Sequence, residues 1–256
     1  MGLREIQGGK PGIGPSIARS GLTVLSAGFA LGASAHRAAY GLRLRRPAHL
    51  DVPVISVGNI AVGGTGKTPF VAWLAKRLLA AGRKPGILAR GYGPDVIHPG
   101  ERGGPLNDEG AVLRHVLGRG VPQRQDPDRV RGGRALLEAY PETDVILLDD
   151  GFQHYALARD LDIVLLDAMC PFGFGRLLPR GRLRERPEAL ARAGAVVLTR
   201  IDALDDALRQ TLISRVSQLT PAPVTGARTR PTAFRTGERE EPPSALQGVP
   251  VYAVSG

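Results

Sequence analysis

The sequence predicts an α/β fold in which a mostly parallel sheet is flanked by helices. One observation is the recurrence of short apolar runs, Val52 to Val57, Pro85 to Ala89, Val145 to Asp150, Ile163 to Asp167, Ala195 to Thr199 and Pro223 to Ala227, alternating with stretches of helical period. Strands that read as continuous apolar runs are buried on both faces, as parallel strands covered by helices are. The other is the junction after the first run. There a glycine-rich turn, Gly63-Gly64-Thr65-Gly66, opens an apolar-periodic helix at Lys67 and Thr68.

Composition bounds the problem. At 256 residues and 43% hydrophobic content the chain can bury one large core or two small ones. A single cysteine, Cys170, excludes an intramolecular disulfide framework and reads as an apolar filler. The net charge of +10 suggests an anionic partner. With 5% aromatic residues and no interleaving of aromatic and basic side chains, nucleic acid is not expected to be that partner.

Three regions are expected: 1–50, a lead-in and an apolar helix; 51–228, the α/β core; and 229–256, a connector and the start of a C-terminal part. Residues 1–18 carry glycine and proline punctuation without a period and read as poorly ordered. Ser20 to Ala35 is a run of 16 residues without charge. As a helix it spans about 24 Å, short of the roughly 30 Å hydrocarbon core of a bilayer. It is therefore either a core helix or one lying in a membrane interface. The basic flank of Arg37, Arg43, Arg45 and Arg46 favours the interface, where each cation contributes about 1 kcal/mol against anionic lipid.

The first strand and its turn form a phosphate-binding loop of the kind found in P-loop NTPases, a variant with Ala61 where the strict pattern has glycine. Glycines let successive N–H groups turn inward around an anion at the positive end of a helix. Gly63, Gly64, Thr65, Gly66, Lys67 and Thr68 are thus the candidate ATP-binding residues, with Lys67 on the β- and γ-phosphates and the Thr68 hydroxyl on Mg²⁺. Arg90-Gly91-Tyr92-Gly93 ends the second strand, where ligands bind in open α/β sheets. Asn107-Asp108-Glu109 precedes the next helix, and an acidic pair there is also a cap candidate.

Arg129 to Ala139 reads as a helix. The strand that follows ends in Asp149 and Asp150, the expected second half of the Mg²⁺ site. Gln153 and His154 follow within four residues, as a candidate hydrogen-bonding amide and imidazole beside the γ-phosphate; a structural histidine is the equal alternative. A constrained basic loop, Pro171 to Glu185, carries Arg176, Arg180, Arg182 and Arg184 and suits a phosphate-bearing substrate or the transferring phosphoryl group. Thr199-Arg200-Ile201-Asp202 reads as a strand end with Asp202 as a helix cap. Leu204 to Leu219 is an amphipathic helix, and Arg228 to Gly248 a polar connector. The sequence then stops inside the apolar run Val249 to Gly256.

With these residues assembled, the chain resembles the tetraacyldisaccharide 4'-kinase (lipid A 4'-kinase) family from Ser20 through Gly256. The resemblance rests on SVGNIAVGGTGKTP (Ser56 to Pro69), ARGYG (Ala89 to Gly93), DDGFQHYALARDLDIVLLD (Asp149 to Asp167) and GRLLPRGRLRE (Gly175 to Glu185). It implies a P-loop core with an N-terminal membrane-docking helix at the cytoplasmic face of the bacterial inner membrane. It also implies transfer of the ATP γ-phosphate to the 4'-hydroxyl of a tetraacyldisaccharide 1-phosphate lipid. Lys67 would hold the phosphates, and Thr68 with Asp149 or Asp150 the Mg²⁺, with Glu109 a further metal candidate. Asp108, in an element read here as Asn107-Asp108-Glu109-Gly110, would orient or deprotonate the sugar hydroxyl. Gln153, His154 and Arg184 would complete the site. The family continues through a segment whose histidine supports the catalytic aspartate, so an incomplete C-terminal part is expected here. Taken without the resemblance, the loop also fits a nucleotide-switch ATPase or an ATP-binding chain impaired in catalysis.

Overall fold

The structure is a computed structural model and describes residues 13–42, 44–91, 108–230, 232–236 and 239–250. Seven strands form one sheet: β1 (Val54–Gly58), β2 (Pro85–Ala89), β3 (Gln123–Gln125), β4 (Val145–Asp149), β5 (Leu161–Asp167), β6 (Ala195–Thr199) and β7 (Val224–Ala227). Their order is β3-β2-β4-β1-β5-β6-β7, and every pairing is parallel. β1 lies centrally between β4 and β5, with Val57 level with Asp149. The phosphate loop and the paired aspartates therefore leave the sheet side by side at its carboxyl end.

Alternation along the strands divides the core between the two faces. Val57, Leu147, Leu165 and Val197 face one side, under α2 (Lys67–Ala80) and α3 (Asp108–Leu117), meeting Val71, Ala75 and Leu113. On the other face Val54, Ile146 and Leu148 pack with Leu136 of α4 (Arg129–Ala139). Also on that face, Val164, Leu166, Val196 and Leu198 meet Phe152, Phe172, Leu190 and, from α5 (Asp206–Ser217), Leu212 and Val216.

Three elements depart from expectation. β3, Gln-Arg-Gln, is polar and only three residues long, so it carries no apolar signature, yet it closes the sheet beside β2. The polar connector contains an antiparallel hairpin of β8 (Phe234–Thr236) and β9 (Arg239–Glu241). Helix α1 runs Ile13–Gly41, 29 residues, taking in positions read as lead-in. Pro15 lies in its first turn, where a missing N–H costs nothing, so the proline does not break it. The remaining lead-in, residues 1–12, lies outside the described residues, as do Tyr92 to Asn107 and Val251 to Gly256.

The core alternative for α1 is overturned. Val24, Leu25 and Leu31 are exposed, while a row at helical spacing (Leu22, Ser26, Ala30, Ala33) is half-buried, as are Ala39 and Tyr40 near the helix end. That row rests on the basic loop: the Ser26 hydroxyl donates to the Leu177 carbonyl at 3.0 Å and accepts from the Arg180 N–H at 3.0 Å. Among the described residues no helix is long and apolar enough to cross a membrane.

Candidate active site

The phosphate loop is shaped by its own glycines and held by its neighbours. Gly63 and Gly66 have φ of 124° and 79°, and Gly66 sits at the N-terminus of α2. A β-carbon at Gly63 would collide with the Arg182 guanidinium, while one at Gly64 would meet no protein atom within 4 Å. Glycine at position 64 is thus not required by the packing of the chain itself, as expected where a ligand approaches the backbone. Asn59 Nδ2 donates to Thr65 Oγ1 at 2.9 Å, and the Thr199 hydroxyl donates to the Thr65 carbonyl at 3.0 Å.

The basic loop is stitched directly onto this one. The Val62 N–H donates to the Arg182 carbonyl at 2.8 Å and the Arg184 N–H to the Ile60 carbonyl at 2.7 Å. Of the four arginines singled out in the sequence, two reach the phosphate-binding region. Arg182 lies against Gly63, and Arg184 Nη1 donates to Asp150 Oδ2 at 2.7 Å. Arg176 is exposed, and Arg180 meets α1 through its backbone.

A cavity of 440 Å³ opens at this end of the sheet. Gly63, Lys67, Asp108, Glu109, Asp149, Asp150 and Arg184 line it, together with Arg90. Lys67 Nζ lies 3.7 Å from Asp150 Oδ1. Burial works to raise the Asp150 carboxyl, but Lys67 and Arg184 together outweigh it and hold the group below its ordinary value. Asp150 is therefore an anion already committed to two cations. Its backbone, at φ 55°, is in the left-handed region.

Asp149 is the opposite case. It is 2% exposed, and neither carboxylate oxygen has a hydrogen-bond partner among the described residues. Burial first, then the nearby charge of Glu109, pushes its carboxyl up to about 7. A buried acceptor-only group without a donor is costly unless a cation meets it. No three His, Cys, Asp or Glu side chains among the described residues converge to hold a metal by themselves. Asp149 thus fits the chemistry of a Mg²⁺ ligand and would hold such an ion together with oxygens the protein does not supply. Thr68, half-buried at the second position of α2, is placed on the loop side.

Gly64, Thr65, Gly66 and Thr68 of the loop itself lie outside the lining of this cavity, and so do Gln153 and His154. Gln153 Nε2 donates to the Asn59 carbonyl and to Glu185 Oε1, both at 2.9 Å, which makes it a brace behind the loop. Burial, then the nearby charges of Arg129 and Arg159, lower His154 to about 4, so it is neutral at pH 7. Asp202 makes no side-chain cap; Asp205 caps α5, accepting from the Leu208 N–H at 2.8 Å.

Arg129 is a residue that sequence reading passed over. It begins α4 behind the Asp128 cap and is 5% exposed, within electrostatic reach of Asp149 and Asp150. Its signal in the sequence is positional: an arginine at the capped start of a helix that follows a strand end on the ligand-binding edge.

The family model described as tetraacyldisaccharide-1-P 4'-kinase matches residues 18–256. A tetraacyldisaccharide 4'-kinase of Methylobacillus flagellatus is 49% identical over 170 residues, 63% of this chain and 49% of the relative. Another, of Anaeromyxobacter dehalogenans strain 2CP-C, is 40% identical over 258 residues, 96% of this chain and 68% of the relative. These matches span between half and about two thirds of the relatives' length. Among solved structures, LpxK from Aquifex aeolicus in complex with ATP superposes with a TM-score of 0.72 at 31% identity, covering 90% of this chain and 71% of that one.

Proposed function

This chain belongs to the tetraacyldisaccharide-1-P 4'-kinase family, and we propose that it carries the family's reaction, transfer of the ATP γ-phosphate to the 4'-hydroxyl of a tetraacylated glucosamine disaccharide 1-phosphate. The observation that carries the reading is the buried Asp149 carboxylate, without a hydrogen-bond partner among the described residues, beside the Lys67–Asp150–Arg184 cluster at the mouth of the phosphate loop.

The chemistry follows from what each side chain is free to do. Lys67 lies 3.7 Å from Asp150, a separation at which it exchanges readily to a phosphate oxygen. Arg184 keeps Asp150 ionised and turned toward the loop. Bound Mg²⁺ would neutralise charge on the β- and γ-phosphates, with Asp149 and Thr68 among the residues holding it. Asp108, on the lining of the same cavity, takes the proton of the sugar hydroxyl. Arg182 and Arg90 supply positive charge for the transferring group.

The lipid acceptor accounts for α1. Its outward leucines and valine would enter the interface of the bacterial inner membrane on the cytoplasmic side, with Arg37, Arg45 and Arg46 against anionic headgroups. That exposed apolar face favours the kinase over a soluble nucleotide switch, which has no need of it. The test is transfer of label from γ-labelled ATP to a tetraacyldisaccharide 1-phosphate in detergent. Lys67→Ala is expected to abolish it, by about 10³-fold or more, while leaving the fold intact. ATP turnover without that product would overturn the assignment.

A further inference from the structure

Behind the phosphate loop lies a connected set of contacts that the reaction does not use. Tyr40 near the end of α1 stacks on Tyr155, with ring centroids 5.9 Å apart and planes inclined at 27°, and His36 lies 5.8 Å from the same ring. The Tyr155 hydroxyl donates to Glu185 Oε2 at 3.0 Å. Glu185 is 9% exposed and is also gripped by Arg192, whose Nη2 lies 3.1 and 2.9 Å from the two carboxylate oxygens. Its Oε1 accepts from Gln153 at 2.9 Å; Gln153 in turn holds the Asn59 carbonyl, and Asn59 holds Thr65 inside the phosphate loop. Every link is direct, and most join elements distant in sequence.

Simple packing does not require such a chain. An apolar contact would join α1 to the sheet more cheaply than a buried carboxylate accepting four hydrogen bonds, because a buried charge contributes only while all its partners stay in place. The Tyr155 hydroxyl is a firm donor: burial, then the Glu185 charge, push it up to about 12. Removing one donor leaves an under-satisfied anion one hydrogen bond from the amide that fixes the loop entrance.

We propose that Tyr155 is a positioning residue that transmits the seating of α1 to the phosphate loop through Glu185, Gln153 and Asn59. The inference rests on the reading that this loop binds ATP. Its consequence is that the set of the loop, and so nucleotide affinity, depends on a helix that does not touch the nucleotide.

The test is a double-mutant cycle on the whole chain, with Mg²⁺·ATP binding followed by calorimetry. Tyr155→Phe keeps the ring stack and removes only the hydroxyl; Tyr40→Ala removes the stack. Each alone is expected to weaken ATP binding about threefold or more, and the double variant no further than the more affected single, as for residues acting on one line. At saturating ATP, turnover is expected to stay near wild type, so the loss falls in KM. Wild-type affinity in Tyr40→Ala, or losses that multiply, would overturn the proposal. So would losses in proportion to a fall in melting temperature, which would assign the chain a merely structural part. Lys67→Ala checks the nucleotide reading separately. If wild type bound no ATP, amide exchange at Asn59 to Thr65 would decide: faster exchange in both variants supports the proposal and unchanged exchange overturns it.

Discussion

At the end of β4 a carboxylate is 2% exposed with no hydrogen-bond partner among the described residues, whereas along α1 Val24, Leu25 and Leu31 are 74%, 62% and 73% exposed. The first region buries what water would solvate, and the second exposes what a core would cover. Elsewhere the sheet follows the ordinary partition, with Ile146, Leu147 and Leu148 all fully buried. In the function proposed above, each departure is met by a different ligand, a cation and nucleotide at one end and a lipid surface at the other. Where a chain breaks local rules without compensation of its own, the compensation comes from what it binds.

Asp149→Asn attacks the first region and carries the largest expected effect. The Asp149 carboxyl titrates at about 7 against an ordinary 3.8, so in the metal-free protein the fold holds a proton that the unfolded chain releases. The stability this contributes is complete below the ordinary carboxylate value and is lost as pH rises through about 7. The amide cannot ionise. The Asp149→Asn variant is therefore expected to melt higher than wild type at pH 8 without Mg²⁺ and to lose this part of the pH dependence, while phosphoryl transfer falls about 10³-fold. Melting curves from pH 5 to 8 check the first claim. A variant less stable than wild type at pH 8 would show that Asp149 has a partner of its own.

The two regions differ in how far the sequence exposes them. The loop and the aspartates are legible because their signal is local: glycines, a lysine and a threonine in one turn, two acids after an apolar strand. Proximity to Asp150 points Gln153 and His154 toward the γ-phosphate, but the turn after Asp150 carries Gln153 behind the loop, and neither lines the cavity. Arg129 carries only a positional signal, and the Tyr155–Glu185 contacts are not legible, because they join residues through strand order, and nothing in the chain announces that β1 lies between β4 and β5. β3 escapes for a different reason, since a polar three-residue strand has no apolar period. For α1 the sequence shows an apolar run but not its full length or which face is covered.

A smaller effect is expected from the second region. Leu25→Glu with Leu31→Glu places two anions on the exposed face, and co-sedimentation with anionic phospholipid vesicles is expected to fall about tenfold or more. Because both positions are already exposed, the melting temperature in detergent-free buffer is expected to move by less than about 2 °C. Unchanged vesicle binding would remove α1 from the membrane.

The smallest effect serves as the control that gives the other two their meaning. Asp205 caps α5, which belongs to neither region, its Oδ1 accepting from the Leu208 N–H at 2.8 Å in the geometry of an ordinary N-cap. Asp205→Ala leaves that N–H to water and removes one anion from the positive end of the helix, a loss of about 1 kcal/mol. Asp206 remains in the first turn and keeps part of the dipole interaction. In a chain of this size that corresponds to about 2–4 °C in melting temperature, with ATP affinity and phosphoryl transfer unchanged. Here stability and activity should separate in the reverse sense to Asp149→Asn, which gains stability and loses activity. If Asp205→Ala also lowered ATP affinity, the phosphate loop would be responding to general stability, and the contrast between a site under local strain and an ordinary helix end would not hold.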